Sequence, residues 1–319
     1  MTAPQTNKLV TIFGGSGFAG RHVVRVLAAD GWRVRVAVRR PNVAHFLLPA
    51  GRVGQVQLLK TNVRDEAQVA AALEGADAVV NLVGILAPSG SQRFQSIHVE
   101  AASRIAQLAS AGGVKRLVHF SALGASADAP ARYFRTKAEG ETLVRGAFPA
   151  ASIVRAAAIF GPEDQLFNRF AALLRLLPIF PLIGGGKTRL QPVYVGDVAD
   201  GVACLLRDDK SAGGIFEFFG PEIMTLKAVI DLVLHETGRK CALVPLPFGL
   251  AKLQGTILQF LPGALLTRDQ VLMLQTDSIG SGALPDLRTL GISPTAPAAI
   301  VPSYLWRFRK EGQFSPVPG

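Results

Sequence analysis

The first half of the chain alternates short apolar runs with stretches whose apolar residues recur at helical spacing. Lys8–Phe13 is an apolar run that stops at glycines. Phe18, Val23, Val26 and Leu27 recur near the 3.6-residue period, which predicts a helix over 18–30. Arg33–Val38 (RVRVAV) alternates strictly and predicts a strand. Further strands are expected at Val56–Leu59, Ala78–Val83, Arg116–Ser121 and Ser152–Ala156, with helices between them at 66–74, 95–111 and 131–147. This rhythm implies an α/β fold, a doubly wound parallel sheet with helices on both faces.

The second half is less regular. Val193–Val195 predicts a strand, Asp197 the N-cap of a helix running to about Leu206, and Ile215–Phe219 another strand. Residues 221–319 are rich in Pro and Gly and predict a smaller, partly helical appendage whose last nine residues trail. The expected division is residues 1–165 with about 188–220 in a nucleotide-binding domain, and about 166–187 with 221–319 in a smaller C-terminal domain. Residues 166–183 predict an apolar helix followed by a Pro-broken loop, and residues 248–266 are as apolar, with Lys252 their one charge. Such segments could wall a substrate pocket, dock on a partner, rest at a bilayer interface or form an ordinary core; neither has a polar face rich in Lys and Arg. No apolar run is long enough to span a membrane, and Met1–Lys8 lacks the apolar stretch of a signal peptide.

Composition narrows the class. With 49% hydrophobic and 18% charged residues, the 319-residue chain is not disordered. Its net charge of +11 is uneven: residues 1–160 hold 19 basic and 9 acidic side chains, residues 161–319 hold 15 and 14. A basic first half implies an anionic partner. Cys204 and Cys241 are far apart, no CxxC occurs and no histidines pair at ligand spacing. No metal site is expected, a disulfide framework is excluded, and a reducing compartment is favoured.

The candidate chemistry begins at Gly14-Gly15-Ser16-Gly17-Phe18-Ala19-Gly20, with Gly14, Gly17 and Gly20 at GxxGxxG spacing between a strand and a helix. Glycines let backbone N–H groups approach a pyrophosphate, and the helix N-terminus supplies free donors and a favourable dipole. This context makes the fold Rossmann-type and the site nucleotide-binding, with Ser16 and Phe18 among the cofactor contacts. An NAD site places an acid about 20 residues after the loop, on the ribose hydroxyls. Arg39 and Arg40 stand there instead, and no acid lies between Arg33 and Arg64. Guanidinium groups bind a 2′-phosphate that a carboxylate would repel, so NADPH (NADP) is the expected cofactor. Asn62 and Val63 follow the third strand, where an adenine edge would lie. Leu82, Val83 and Gly84 end the fourth, at the carboxyl edge where such sheets bind ligands.

Tyr133 and Lys137 lie four apart, on one face of the predicted helix. With the glycine loop, this resembles the YxxxK of the short-chain dehydrogenases. The resemblance implies that Tyr133 is the general acid/base and that Lys137 lowers its pKa and holds the nicotinamide ribose. Ile159-Phe160-Gly161-Pro162 and Pro192-Val193-Tyr194-Val195-Gly196-Asp197-Val198-Ala199 resemble segments of the extended branch of that family, so the likeness covers roughly residues 8–220. The departures matter. Leu123 stands where the family has a catalytic Ser or Thr, Ser121 would serve only with a displaced backbone, and Ala156 replaces the proline after Arg155. A site that holds a cofactor but is poorly equipped for chemistry is similar to one atypical branch, the NAD(P)H-binding accessory subunits of respiratory complex I. The residues behind this are GGSGFAGR with Arg39–Arg40, Asn81-Leu82-Val83-Gly84, Ser121-Ala122-Leu123-Gly124-Ala125, and Arg132 through Glu141. The resemblance implies a tightly held NADPH outside the electron-transfer chain, a structural role on the peripheral arm, and complex I subunits as partners. It also implies a place near the membrane, on the cytoplasmic face of a bacterial inner membrane or the matrix side of a mitochondrial one, where an anionic surface could take up the basic charge. An NADPH-dependent reductase or epimerase acting on a sugar nucleotide or carbonyl substrate stays open, as does a nucleotide-sensing regulator. Nucleic-acid binding is disfavoured, because the basic residues carry no interleaved aromatics.

Overall fold

The computed structural model describes residues 7–259 and 266–314. Residues 260–265 of the 248–266 segment and the last five residues of the expected tail therefore lie outside the described residues. The chain forms two compact units, one of residues 1–155, 196–217 and 283–292, the other of 156–195, 218–282 and 293–319.

The first unit is built on β1 (Leu9–Phe13), α1 (Phe18–Ala29), β2 (Arg33–Val38), β3 (Val56–Lys60), α2 (Glu66–Leu73), β4 (Ala78–Asn81), α3 (Ala101–Ala111), β5 (Arg116–Ala122), α4 (Arg132–Ala147) and β6 (Ser152–Ala156). Its seven-stranded sheet is ordered β11-β6-β5-β4-β1-β2-β3, where β11 is Ile215–Phe218. The pairs β1–β2, β2–β3, β1–β4 and β4–β5 run parallel. The chain steps outward from β1 to β3 and then crosses back to β4, so β1 and β4 meet where the strand order reverses, and ligands bind at such a crevice. All five residues of β1 are buried, as a strand covered on both faces requires. The core on one face joins Phe13, Val79, Leu117 and Ile153 of the sheet to Val69 of α2, Ala101, Ala102, Ile105 and Ala109 of α3, and Val144 of α4. Each large aliphatic side chain so buried stabilises by about 1.5–3 kcal/mol. The helix expected over 95–111 starts with a π-helical turn at Gln95–Glu100 before α3.

In the second unit, β7 (Ile159–Phe160) pairs in parallel with β10 (Val193–Tyr194), and β9 (Arg189–Leu190) antiparallel with β12 (Met224–Thr225). Helix α5 (Phe167–Leu176) is followed by β8 (Ile179–Ile183), which pairs in parallel with β13 (Ala242–Leu246). The expected Pro-broken loop is thus a strand. Pro181 lacks an N–H to donate, but a two-stranded sheet has only edges, which tolerate it. Helix α6 (Val195–Arg207), which from Gly196 on belongs to the first unit, begins two residues before Asp197, so Asp197 is not an N-cap; it lies in the first turn, where its charge still favours the dipole. Helix α7 (Leu226–Thr237) is capped by the Thr225 hydroxyl and ends on Gly238 in the left-handed region (φ +61). Helices α8 (Phe248–Leu258) and α9 (Arg268–Met273) follow. The core of this unit gathers Phe160, Phe167, Leu174, Leu182, Ile230, Val233 and Leu305. Buried Asp164 pins it: its carboxylate accepts from the backbone N–H groups of Gly161, Leu166 and Asn168 and from the Tyr304 hydroxyl at 2.7 Å.

Candidate nucleotide-binding site

The glycine loop is shaped by contacts that a side chain would block. Gly14 has φ +82, and a Cβ there would lie 3.0 Å from the Leu82 carbonyl carbon. A Cβ on Gly20 would come within 2.3 Å of the Gly14 carbonyl oxygen, so the first turn of α1 sits directly against the loop. Gly15, given no role by the spacing argument, is needed for packing, since its Cβ would strike Val36 Cγ1 at 2.5 Å. Gly17 donates to the Gly14 carbonyl at 3.0 Å and forms the N-cap of α1 without a side-chain cap. The first turn holds no acid, which leaves its N–H groups and dipole to an outside anion. Ser16 and Phe18 are half-buried beside it, and Phe18 packs edge-on to His22.

Arg39 and Arg40 are exposed just past β2, the strand beside β1. Asn62 and Val63 follow β3. The Asn62 carboxamide oxygen accepts from Arg64 N–H, while Val63 is buried and its carbonyl takes a bond from Arg104. Leu82 bonds to Phe13 across β1–β4, and its carbonyl faces Gly14. A Cβ on Gly84 would lie 3.4 Å from Lys137 Nζ. The fold therefore brings Gly14, Leu82, Val83, Gly84 and Lys137 together at the carboxyl ends of β1, β4 and β5.

Tyr133 and Lys137 stand one turn apart on α4, but their environments differ from an activated pair. Lys137 Nζ is buried and donates to the Phe120 carbonyl at 2.9 Å. Burial pulls its pKa down to about 8, against the opposing field of Glu141. Glu141 is itself engaged by the Arg155 guanidinium through Nε and Nη2. The Tyr133 ring packs edge-on to Phe94, His98 and Phe134, and burial raises its pKa to about 12, away from what a neutral-pH base needs. Leu123, expected from the resemblance to stand at the position of the family's hydroxyl, is 2% exposed and apolar.

Two histidines that the sequence argument passed over complete the site. His98, in the π-helical turn, accepts Ile85 N–H at Nε2, so its proton is on Nδ1, donated to Thr136 Oγ1 at 3.0 Å. On β5, His119 is fixed as firmly. The Asn81 carboxamide oxygen accepts Val83 N–H, so its nitrogen donates to His119 Nδ1 and the His119 proton sits on Nε2. Burial, then the Lys137 charge, pushes His98 down to about 2 and His119 to about 3. Both are neutral at all physiological pH. Among the described residues, His119 Nε2 and Ser121 Oγ are buried with no hydrogen-bond partner. Two unanswered polar atoms on one face of β5 suit a polar ligand or water reaching that strand end. No sequence signal marked these histidines; His98 looks like any polar residue within a helical period.

The residues present fit a dinucleotide. The loop is hollowed by glycine, the helix N-terminus is uncapped, and Arg39 and Arg40 have no ion-pair partner among the described residues. A depression of about 540 Å³ lined by Glu66, Gln95, Glu100, Arg104 and Glu139 lies elsewhere, on the outer surface of the helices, and contains none of the expected site residues. Among the described residues no group of three or more His, Cys, Asp or Glu is placed to hold a metal ion.

The profile of the NAD dependent epimerase/dehydratase family matches residues 10–217. The NADH dehydrogenase (ubiquinone) 1 alpha subcomplex subunit 9 of Arabidopsis thaliana mitochondria is 33% identical over 317 residues, covering 95% of this chain and 79% of that one. Its Mus musculus counterpart is 33% identical over 291 residues, covering 90% and 77%. The crystal structure of DesIV, a dTDP-glucose 4,6-dehydratase from Streptomyces venezuelae with NAD bound, superposes with a TM-score of 0.70 at 21% identity, covering 96% and 98%. At that identity the likeness is one of fold.

Proposed function

The chain belongs to the NAD dependent epimerase/dehydratase family, and from that premise we propose that it is a nucleotide-holding accessory subunit of a membrane-associated NADH:ubiquinone oxidoreductase, structural in role and without turnover of its own. The observation that carries the non-catalytic part is the buried Leu123 where the family is expected to have a hydroxyl, taken together with a Tyr133 whose pKa is raised rather than lowered. Without the hydroxyl, nothing at that position can polarise a substrate oxygen. Without a depressed pKa, the phenol is a poor proton acceptor near neutrality. The likeness of nearly the whole chain to a respiratory-complex subunit supports the assembly role.

Members of this family bind NAD or NADP, and NADPH is the form proposed here. The first turn of α1 would hold the pyrophosphate, Arg39 and Arg40 the 2′-phosphate, Asn62 and Val63 the adenine edge, and Leu82 to Gly84 with Lys137 the nicotinamide ribose. When bound, the cofactor would supply hydride chemistry. The residues around it bind, orient and exclude water; His98 and His119 stay neutral, His98 tying the π-helical turn to Ile85 and Thr136 and His119 tying β5 to Asn81 of β4. The partners proposed are other subunits of the complex and an anionic membrane surface. The location follows from them, on the cytoplasmic face of a bacterial inner membrane or the matrix face of a mitochondrial one. No helix among the described residues is long and apolar enough to cross a membrane.

Four measurements test this. On native gels of solubilised membranes the chain should co-migrate with NADH dehydrogenase activity, and deletion of its gene should lower the amount of assembled complex. Denaturing the purified chain should release NADP(H) near stoichiometry; stoichiometric NAD(H) would overturn the role of Arg39 and Arg40. Steady reduction or epimerisation of a substrate, abolished by Tyr133→Phe, would replace the structural reading with an enzymatic one.

A further inference from the structure

The connection from β2 to β3 is a folded segment in its own right. Two short 3₁₀ turns, Pro41–Val43 and His45–Ala50, follow Arg40, which is the N-cap of the first. Val43 N–H donates to the Arg40 carbonyl, Ala44 N–H to that of Pro41 and Leu47 N–H to that of Ala44. Ala44 and Leu47 are buried and tie the segment down, and the second turn packs against α1. Phe46, between those two anchors, is turned out instead and is 45% exposed. The Arg21 guanidinium lies over its ring, with Cζ 4.8 Å from the ring centre.

Arg21 stands directly after Gly20, and its N–H donates to the Gly17 carbonyl, so its backbone is held as firmly as the glycine loop. A long guanidinium side chain on a helix surface has many rotamers, and a ring beneath it selects among them. Stacking uses the flat face of the guanidinium. Its N–H donors lie at the edge, in the plane, where phosphate oxygens are recognised. Phe46 belongs to the segment that Arg39 and Arg40 begin, so the stack draws Arg21 toward the end of β2 and away from β4, on the other side of β1. No acidic residue occurs between Arg33 and Arg64, nor in the first turn of α1, so neither stretch brings a carboxylate to these three guanidiniums. A phosphate monoester carries a charge of about −1.5 to −2 at neutral pH and three acceptor oxygens, one for each guanidinium.

Resting on the proposed role of Arg39 and Arg40, we infer that Arg21 is a third ligand of the 2′-phosphate of NADPH and that Phe46 is the positioning residue that aims it. NADH has a hydroxyl at that place, so Arg21 adds to the discrimination between the two nucleotides and little to the binding they share. Their common pyrophosphate is met by the glycine loop and the start of α1, through backbone N–H groups that need no guanidinium. The ring left outward in an anchored turn then has a task. It keeps a charged side chain pointed in one direction before the nucleotide arrives, which lowers the ordering cost of binding.

The test is calorimetric titration of the nucleotide-free full chain with NADPH and NADH, and with 2′,5′-ADP and 5′-AMP, which isolate the phosphate. Arg21→Gln should bind NADPH and 2′,5′-ADP about ten- to a hundredfold more weakly, with NADH and 5′-AMP unchanged. Retained NADH binding also shows that the variant is folded. Phe46→Ala, which keeps the charge and frees its direction, should weaken NADPH about two- to fivefold, and Phe46→Tyr should restore it. Arg25→Gln, one turn further along α1 and exposed, removes the same charge and should change neither nucleotide. Equal losses of NADPH and NADH in Arg21→Gln, or no loss of either, would overturn the inference. So would a loss in Arg25→Gln as large as that in Arg21→Gln, which reduces the effect to net charge. An NADPH affinity indifferent to Phe46→Ala would strike out the positioning role. If Arg39→Ser/Arg40→Ser fails to separate NADPH from NADH, the underlying site is wrong; if it separates them and Arg21→Gln does not, the third ligand alone is lost.

Discussion

The two buried neutral histidines set an acid limit on the fold. Both should begin to cost stability as pH falls below 6.5, the ordinary histidine value, because the unfolded chain then takes up protons that the native state refuses. Their folded values, about 2 and about 3, lie well below pH 4.5, so the loss at that pH is set by the unfolded value. Two pH units at about 1.4 kcal/mol each come to roughly 2.7 kcal/mol per histidine and about 5 kcal/mol for the pair. A domain is stable by about 5–15 kcal/mol, so this alone could unfold the nucleotide unit. The assay is urea unfolding between pH 7.5 and 4.5 on wild type and on His98→Gln/His119→Gln, read by tryptophan fluorescence and circular dichroism. The variant should start about 1–3 kcal/mol less stable at pH 7.5, having lost buried hydrogen bonds, and then fall by about 5 kcal/mol less over the acid range. Carboxylate protonation is common to both proteins and cancels. Parallel pH dependences would refute the assignment, since they would mean that neither imidazole is held neutral by the fold.

Other outcomes follow from the same geometry. Gly20→Ala, whose Cβ would press on the Gly14 carbonyl, should abolish nucleotide retention and lower stability by about 1–3 kcal/mol in thermal melts. Arg39→Ser/Arg40→Ser should weaken NADPH by about two orders of magnitude or more in calorimetric titration, with NADH little changed, since each charge-assisted bond contributes about 1.5–3 kcal/mol. Tyr133→Phe should leave released nucleotide and oxidoreductase activity of the assembled complex unaltered; lost activity would restore a proton-transfer role. Asp164→Ala strips a partner from three backbone N–H groups and the Tyr304 hydroxyl, and should cost about 3–5 kcal/mol in denaturant unfolding.

The nucleotide unit was legible because its signals are local and redundant. Strand alternation in RVRVAV, the glycines at 14, 17 and 20, and the four-residue step from Tyr133 to Lys137 each report backbone geometry directly. What stayed hidden depends on partners distant in sequence. Pro181 argued for a loop, and only pairing with β13, some sixty residues away, makes a strand there. Asp197 resembled a cap because its residue type suits one, yet α6 starts at Val195. The roles of His98 and His119 rest on Ile85, Asn81 and Thr136, which no period or spacing connects to them. For α8 the composition said apolar and left pocket wall, partner face, bilayer interface and core all open; which of its faces turned inward was decided by Gly255 fitting against α9.

The π-helical turn at Gln95–Glu100 holds one residue more than an α-helix would need to cover the same rise. It is therefore a place where the chain could lose a single residue without shifting the strands. Deleting one residue there would let the segment relax to ordinary helical winding. Ala101 to Ala111 would stay packed as before, while the imidazole of His98 would swing by about a quarter-turn, away from Ile85 and Thr136. In this chain a single in-frame codon loss is thus expected to exchange one arrangement beside Tyr133 for another while the phosphate cradle stays in place.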